Sequence, residues 1–144
     1  MREQPRRLPN AGQMRSYTAG VVKTLTEQQR LPLDYSVASL HIVDFVVDRL
    51  RRDQPDRGQV AETLFGLGAY VGEVIVRRTN AEWVDLRDDE GRLFRQPVGI
   101  RMSTGRVWNP LGRVVNRFLV GPEESVHQFF LLVQAPDRRS PERQ

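Results

Sequence analysis

The sequence predicts an α+β domain that is mostly helical, with two long antiparallel helices, a small antiparallel β-hairpin or sheet, and two C-terminal helices. Three observations predict it. Apolar residues recur at three- and four-residue steps from Ser36 to Thr79, strand-like alternation replaces that period between Ala81 and Met102, and Asn109-Pro110 then gives a new helix-start signal. A chain of 144 residues with 39% hydrophobic residues is expected to form a single domain, which we place at Tyr17 to Gln134.

Three helices are expected in the first half of the chain. The first runs from Tyr17 to Arg30, and Pro32 prevents it from continuing. The second runs from Ser36 to Asp53, with Ser36 as its N-cap and an apolar stripe on one side. A break at Gln54-Pro55-Asp56 separates it from the third, Arg57 to Thr79, so the two long helices are expected to pack antiparallel.

A hairpin is expected next. Ala81 to Leu86 forms the first strand, Asp88 to Gly91 has the composition of a turn, and Leu93 to Met102 forms the second strand. Pro97 has no amide hydrogen, so the second strand should bend there or lie at a sheet edge.

Two helices are expected to end the domain. Asn109 is the predicted N-cap and Pro110 the first residue of a helix that reaches about Val120. After Gly121-Pro122, the last helix is predicted at Glu123 to Gln134.

The two ends of the chain are expected to be disordered tails. Met1 to Ser16 has four arginines against one glutamate, and Ala135 to Gln144 has three arginines against two acidic residues. Both are poor in large apolar side chains and cannot offset the entropy of ordering. The net charge of +4 lies in these tails, because the domain between them has 15 basic and 15 acidic residues.

Composition narrows the classes of function. Without cysteine there is no disulfide, thiolate metal site or cysteine nucleophile. No charge-free run approaches the ~18–20 residues of a membrane span, and no apolar stretch follows the basic start, so we expect a cytoplasmic protein with no membrane association. Arginine makes up 21 of the 22 basic residues, a bias that indicates the composition of a GC-rich bacterial genome.

Gly66, Gly68 and Gly72 superficially resemble a phosphate-binding loop. Such a loop follows a strand and opens a helix, whereas the residues before Gly66 already have a helical pattern. Gly68 and Gly72 are four residues apart and share one helix face. We therefore expect them to admit a close neighbour, either the second helix or the hairpin.

The polar face of the second helix offers metal-capable side chains. It carries His41, Asp44, Asp48, Arg51 and Arg52. Ion pairs between its acids and its arginines explain this face without a ligand. A metal site would need His127, the only other histidine, to lie nearby, so we expect no metal and no cofactor.

One group of side chains is the candidate for ligand or partner binding. It consists of Tyr70, Glu73, Arg77, Trp83, Trp108 and Asn109. Glu73 lies in an apolar stretch and needs a partner, because burying an unpaired carboxylate is expensive. Arg77, one helical turn later, can supply it, while the alternative is a carboxylate that faces a ligand beside the two tryptophans.

Several short segments resemble a set of small uncharacterised bacterial domains. The segments are Leu33-Asp34-Tyr35-Ser36-Val37-Ala38-Ser39-Leu40, Gly68-Ala69-Tyr70-Val71-Gly72-Glu73 with Trp83 ten residues later, Asn109-Pro110, Gly121, Ser125-Val126 and Phe129-Phe130. These domains share a helical Gly-Ala-Tyr-x-Gly-Glu segment that leads into a tryptophan-bearing strand. Members often have glycines just before the tryptophan, where this chain has Asn80-Ala81-Glu82. The resemblance implies the fold and a bacterial cytoplasmic source, and it supplies no catalytic residues.

The leading functional hypothesis is a non-enzymatic module that binds another protein, in an immunity-like or chaperone-like role. It follows from the lack of cysteine, the two histidines and the lack of a recognisable catalytic motif, although carboxylates and arginines alone can support an enzyme. Two alternatives stay open. One is nucleic-acid association through the arginine-rich tails, and the other is a small-molecule pocket near Glu73 and the tryptophans. The oligomeric state is left open.

Overall fold

Six α-helices and a three-stranded antiparallel sheet form the part of the chain that the computed structural model describes, residues 8–53 and 56–135. The predicted α+β class is confirmed. The elements are α1 (Met14–Gln29), α2 (Leu40–Asp53), α3 (Arg57–Arg78), β1 (Glu82–Asp85), α4 (Asp88–Phe94), β2 (Val98–Arg101), β3 (Val107–Trp108), α5 (Pro110–Leu119) and α6 (Val126–Gln134). The sheet order is β1-β2-β3.

The N-terminal segment is ordered further toward its start than predicted. Asn10 caps a short 3₁₀ turn, and the backbone amide of Ala11 donates to Asp85 at 2.9 Å. Met14 opens α1 and is fully buried against Ala69 and Leu111. The expectation of a disordered tail is therefore wrong for residues 10–16, because one large apolar side chain docks this segment. Residues 1–7 and 136–144 of the two predicted tails lie outside the described residues.

Helix α2 begins four residues later than predicted. Ser36 makes the hydrogen bond of the predicted N-cap, because its side chain accepts from the amide of Ser39 at 3.1 Å, but it does so in a tight turn that precedes Leu40. The turn holds Ser39 where its hydroxyl reaches Tyr70, at 2.6 Å. A tertiary contact thus sets the start of the helix.

The predicted turn and second strand are wrong between Asp88 and Pro97. Helix α4 occupies Asp88–Phe94, and the three acidic residues that were predicted to form a turn lie in its first turn. Their negative charges are stabilised there by the positive end of the helix dipole. The strand β2 is accordingly short, begins directly after Pro97 and lies in the centre of the sheet. The two-residue strand β3 was not predicted, because its length leaves no periodic signal.

The C-terminal helices follow their capping signals. Asn109 accepts from the amide of Gly112 at 2.9 Å and Pro110 is the first residue of α5, as predicted. Helix α6 begins at Val126 rather than Glu123, because Ser125 is its N-cap and Pro122–Glu124 form a 3₁₀ turn.

Helix α3 lies at the centre of the core and is buried from Gly66 to Ile75. It is long and apolar enough to cross a membrane by length and composition alone, but 61% of the apolar window is covered by the rest of the protein, as in a core helix. It packs most extensively against α5 and α1 and less against α2. Gly68 faces Leu111 of α5, while Gly72 faces the ring of Trp83 and Pro110. The predicted packing role of the glycines is confirmed, with the hairpin as one neighbour and α5, not α2, as the other.

We expect Gly68→Ala to lower the free energy of unfolding by about 1–3 kcal/mol, because a Cβ at this position would lie 2.8 Å from the Cα of Leu111. Gly20→Ala is the matched control. It makes the same change inside α1, where a Cβ meets no atom within 4 Å, and should raise the free energy of unfolding by up to about 1 kcal/mol. Urea denaturation measures both, and stabilisation by both variants would contradict the close approach.

We expect Met14→Ala to lower the free energy of unfolding by about 2–5 kcal/mol, because it empties a fully buried site. Ser16→Ala, on the exposed side of the same turn, should change it by no more than about 0.5 kcal/mol. Equal effects of the two substitutions would show that the segment before Tyr17 does not contribute to the core.

Candidate functional site

Three of the six predicted site residues form one hydrogen-bonded cluster. Glu73 is 2% exposed, and its Oε1 accepts from the indole nitrogen of Trp83 at 3.1 Å. Its Oε2 pairs with Nε of Arg77 at 3.2 Å, which is the local pair expected from their spacing. Both carboxylate oxygens therefore have partners within the protein.

Tyr70 belongs to an adjoining network that holds the loop between α1 and α2. Its hydroxyl accepts from the amide of Tyr35 at 2.7 Å and shares a hydrogen bond of 2.6 Å with the hydroxyl of Ser39. The guanidinium of Arg77 stacks on the ring of Tyr35, 3.5 Å from its centroid, and Arg78 donates to the carbonyl of Tyr35. Tyr35 has a left-handed backbone with φ of 63°, which this set of contacts maintains.

Trp108 and Asn109 have other partners. Trp108 meets Phe129 edge to face at 5.8 Å between centroids, and Arg106 lies 4.3 Å from its ring centroid. Besides capping α5, Asn109 donates to the carbonyl of Phe94 at 3.1 Å. The six predicted residues therefore do not form one site: Glu73, Arg77 and Trp83 bond to one another, Tyr70 holds the loop before α2, and Trp108 and Asn109 have separate partners.

A second polar cluster was not predicted. Arg117 is 3% exposed and donates to Asp44 and Asp48, both at 2.9 Å. The expectation that these two acids pair with Arg51 and Arg52 on an exposed face is therefore wrong. Their partner comes from α5, because that helix packs across this face. Burial alone would lower the pKa of Arg117, but its hydrogen bonds to Asp48 and Asp44 and their negative charges outweigh burial and raise that pKa above its ordinary value.

Asp44 also joins this cluster to α6. It accepts from the hydroxyl of Ser125 at 3.0 Å and from the amides of Val126 at 3.0 Å and His127 at 3.4 Å. His41 and His127 stack beside it with centroids 3.9 Å apart. Within residues 8–53 and 56–135, no group of three or more metal-capable side chains converges.

An apolar groove of about 1390 Å³ lies between α3 and α5, and we call it the α3/α5 groove. Its walls are Val60, Leu64 and Phe65 of α3 and Val115, Phe118 and Leu119 of α5, and the residues around Leu8 and Tyr17 close one side. None of the six predicted site residues lines it. Leu119 is 68% exposed at its mouth and Leu8 is 55% exposed, so large apolar side chains face solvent here.

The groove lies beside the close contact between the two helices. They meet where Gly68 faces Leu111, and the groove is lined by the start of α3 and the end of α5. Arg57 lines the groove at the start of α3, and Arg51 reaches Gly121, just past α5, where a Cβ would lie 3.1 Å from its Nη1. Within the described residues, neither arginine has an ion-pair partner.

The sequence contained one signal for this groove. Val115 and Leu119 are apolar positions of α5 in addition to Leu111 and Val114, which are buried, and Phe118, which packs against the core. An apolar helix face wider than its core contact indicates a second apolar neighbour. The spacing of residues within α5 does not show which helix lies opposite it, because that depends on the tertiary fold.

We expect Tyr70→Phe to lower the free energy of unfolding by about 1–3 kcal/mol at neutral pH, because the amide of Tyr35 and the hydroxyl of Ser39 lose their partner. Tyr35→Phe is the control. It removes a hydroxyl with no described hydrogen bond and keeps the stacked ring, so its effect should be small. An equal loss in the two variants, measured by urea denaturation, would contradict the role of Tyr70.

The difference between wild type and Tyr70→Phe should shrink at alkaline pH. Burial raises the pKa of Tyr70 above its ordinary value of 10.0, so the folded state keeps the proton that the unfolded state loses. The contribution of Tyr70 is complete below about pH 10 and is lost as the pH rises toward the folded pKa. A difference in unfolding free energy that stays constant from neutral to alkaline pH would contradict this.

Comparison with known proteins found no relative of this chain. No protein-family model, no curated protein and no solved structure matches it. The resemblance to small bacterial domains stays a prediction.

Proposed function

We propose that this chain is a protein-binding module and that the α3/α5 groove receives an apolar segment of a partner protein. The observation that carries the proposal is the groove, with Leu119 exposed at its mouth. Contiguous exposed apolar surface on a folded protein is typical of an interaction site. An immunity-like or chaperone-like role in a bacterial cytoplasm belongs to the same proposal.

The size of the groove favours a polypeptide over a small molecule. Pockets for small molecules and cofactors occupy roughly 300–1,000 Å³ and enclose most of the ligand. The α3/α5 groove has about 1390 Å³ and is open to solvent. An elongated apolar segment matches this shape, as in complexes where one helix lies in the groove of another protein.

The side chains available for contact also favour a protein partner. Leu119 and Phe118 are large, and Leu119 has no neighbour that covers it in the described part of the chain. Covering a fully exposed side chain of this size contributes roughly 1.5–3 kcal/mol before the entropic cost of association is subtracted. The alternatives of nucleic-acid binding by the tails and of a pocket at Glu73 stay predictions. Much of both tails lies outside the described residues, and the Glu73 carboxylate is already bonded within the protein.

Selection from a displayed peptide library tests the proposal. Peptides selected on the wild-type protein are assayed on Val115→Gln/Leu119→Gln, which makes the groove polar without adding charge. We expect affinity to fall about tenfold or more, because the buried area of one leucine is worth more than the ~1.4 kcal/mol of a tenfold change.

Leu131→Gln/Leu132→Gln is the matched control, because it changes two exposed leucines of α6 outside the groove. It should leave affinity unchanged. Failure to select any peptide that depends on Val115 and Leu119, or loss of binding in the α6 control instead, would overturn the groove as the binding site.

A further inference from the structure

We infer that the α3/α5 groove selects an acidic amphipathic helix of a partner protein, with its apolar face between α3 and α5 and its carboxylates at Arg51 and Arg57. The inference rests on the proposed function and specifies the chemistry of the partner. It is carried by the shape of the groove and by the placement of its charges.

The shape fits a helix. Both walls are helical surfaces, formed by residues 57–65 of α3 and residues 111–119 of α5. Each stretch is about 12 Å long at 1.5 Å per residue, which equals a little over two helical turns. The groove between two packed helices can receive the side chains of a third helix, supplied by the partner. Apolar residues on one face of that helix would contact both walls.

The charges fit carboxylates. Arg51 and Arg57 both line the groove, and neither has an ion-pair partner among the described residues. The carboxylate of Glu123 lies beside Gly121, as Arg51 does, without forming an ion pair with it. Glu62, the acidic residue among the described lining, already has an interaction within the protein. The nearby carboxylate of Asp56 is held by the amides of Gly58 and Gln59 at the start of α3. Two arginines beside apolar walls therefore favour acidic residues at one end of the occupant.

The two segments that flank the described residues are positively charged, unlike the acidic occupant that the arginines favour. Residues 1–7 carry three arginines and one glutamate, and residues 136–144 carry three arginines and two acidic residues. Either segment would bring net positive charge to Arg51 and Arg57. Charge complementarity therefore favours an acidic polypeptide over these two segments as the occupant.

The test is selection from a displayed library of helical peptides on three forms of the full chain: wild type, Arg51→Glu/Arg57→Glu, and Arg52→Glu/Arg87→Glu. The last form makes the same change of charge at two exposed arginines outside the groove. We expect Asp and Glu to be enriched in the wild-type pool and Lys and Arg in the pool from Arg51→Glu/Arg57→Glu. The best acidic peptide should weaken about tenfold or more on that variant and with added salt, and little on the control.

The outcomes separate the inference from the function on which it rests. Absence of any groove-dependent peptide overturns the proposed function. Groove-dependent peptides without acidic enrichment, or equal weakening in the two charge-reversed forms, leave protein binding in place and overturn the acidic helix.

Two other occupants give results of their own. A wild-type dimer that Val115→Gln/Leu119→Gln dissociates would identify a second copy of the chain as the occupant. A gain in peptide affinity on deletion of residues 1–7 would identify the N-terminal segment. Either result overturns the inference.

Discussion

The contact between Gly68 of α3 and Leu111 of α5 determines most of the architecture. A hydrogen in place of a side chain lets the two helices touch, and the next glycine one turn later admits the ring of Trp83, which ties the sheet to the same helix. Because α3 also packs against α1, the first helix, α5 and the sheet all pack on this one helix. The groove lies next to the contact between α3 and α5, lined by the start of α3 and the end of α5.

Arginine has a structural role that its abundance alone does not suggest. Arg117 bridges Asp44 and Asp48 in a nearly buried setting, and Arg113 reaches the carbonyls of Glu124 and Ser125. A planar guanidinium can satisfy two acceptors at once, which an ammonium group does less well. Arginine therefore stabilises this fold, whatever the genomic origin of its abundance. At the groove, Arg51 and Arg57 have no ion-pair partner among the described residues.

Local signals predicted well and tertiary ones did not. Asn109 and Pro110 define the start of α5 within a few residues of sequence, and the pairing of Glu73 with Arg77 follows from one helical turn. Asp44 pairs with a residue 73 positions away, which no periodicity reveals. The acidic run at Asp88 carries equally strong signals for a turn and for a helix start, so composition alone could not decide between them.

The candidate site shows the same division. The residues chosen from the sequence are polar groups in apolar surroundings, and in the fold their partners are other residues of the chain. The groove consists of ordinary apolar side chains on two helices, and they form a site only because the fold places the two helices side by side. Exposure, which reveals Leu119, is a property that the sequence does not contain.

The carboxylate of Asp44 has a consequence for how the chain matures on the ribosome. Asp44 accepts hydrogen bonds from the amide of Val126, 82 residues downstream, and from Arg117, 73 residues downstream. Until those residues leave the exit tunnel, α2 displays an acidic group and an apolar stripe without their final neighbours. Completion of the native state must therefore wait for the last helix. A nascent chain that stalls before it would expose the surface that quality-control factors recognise.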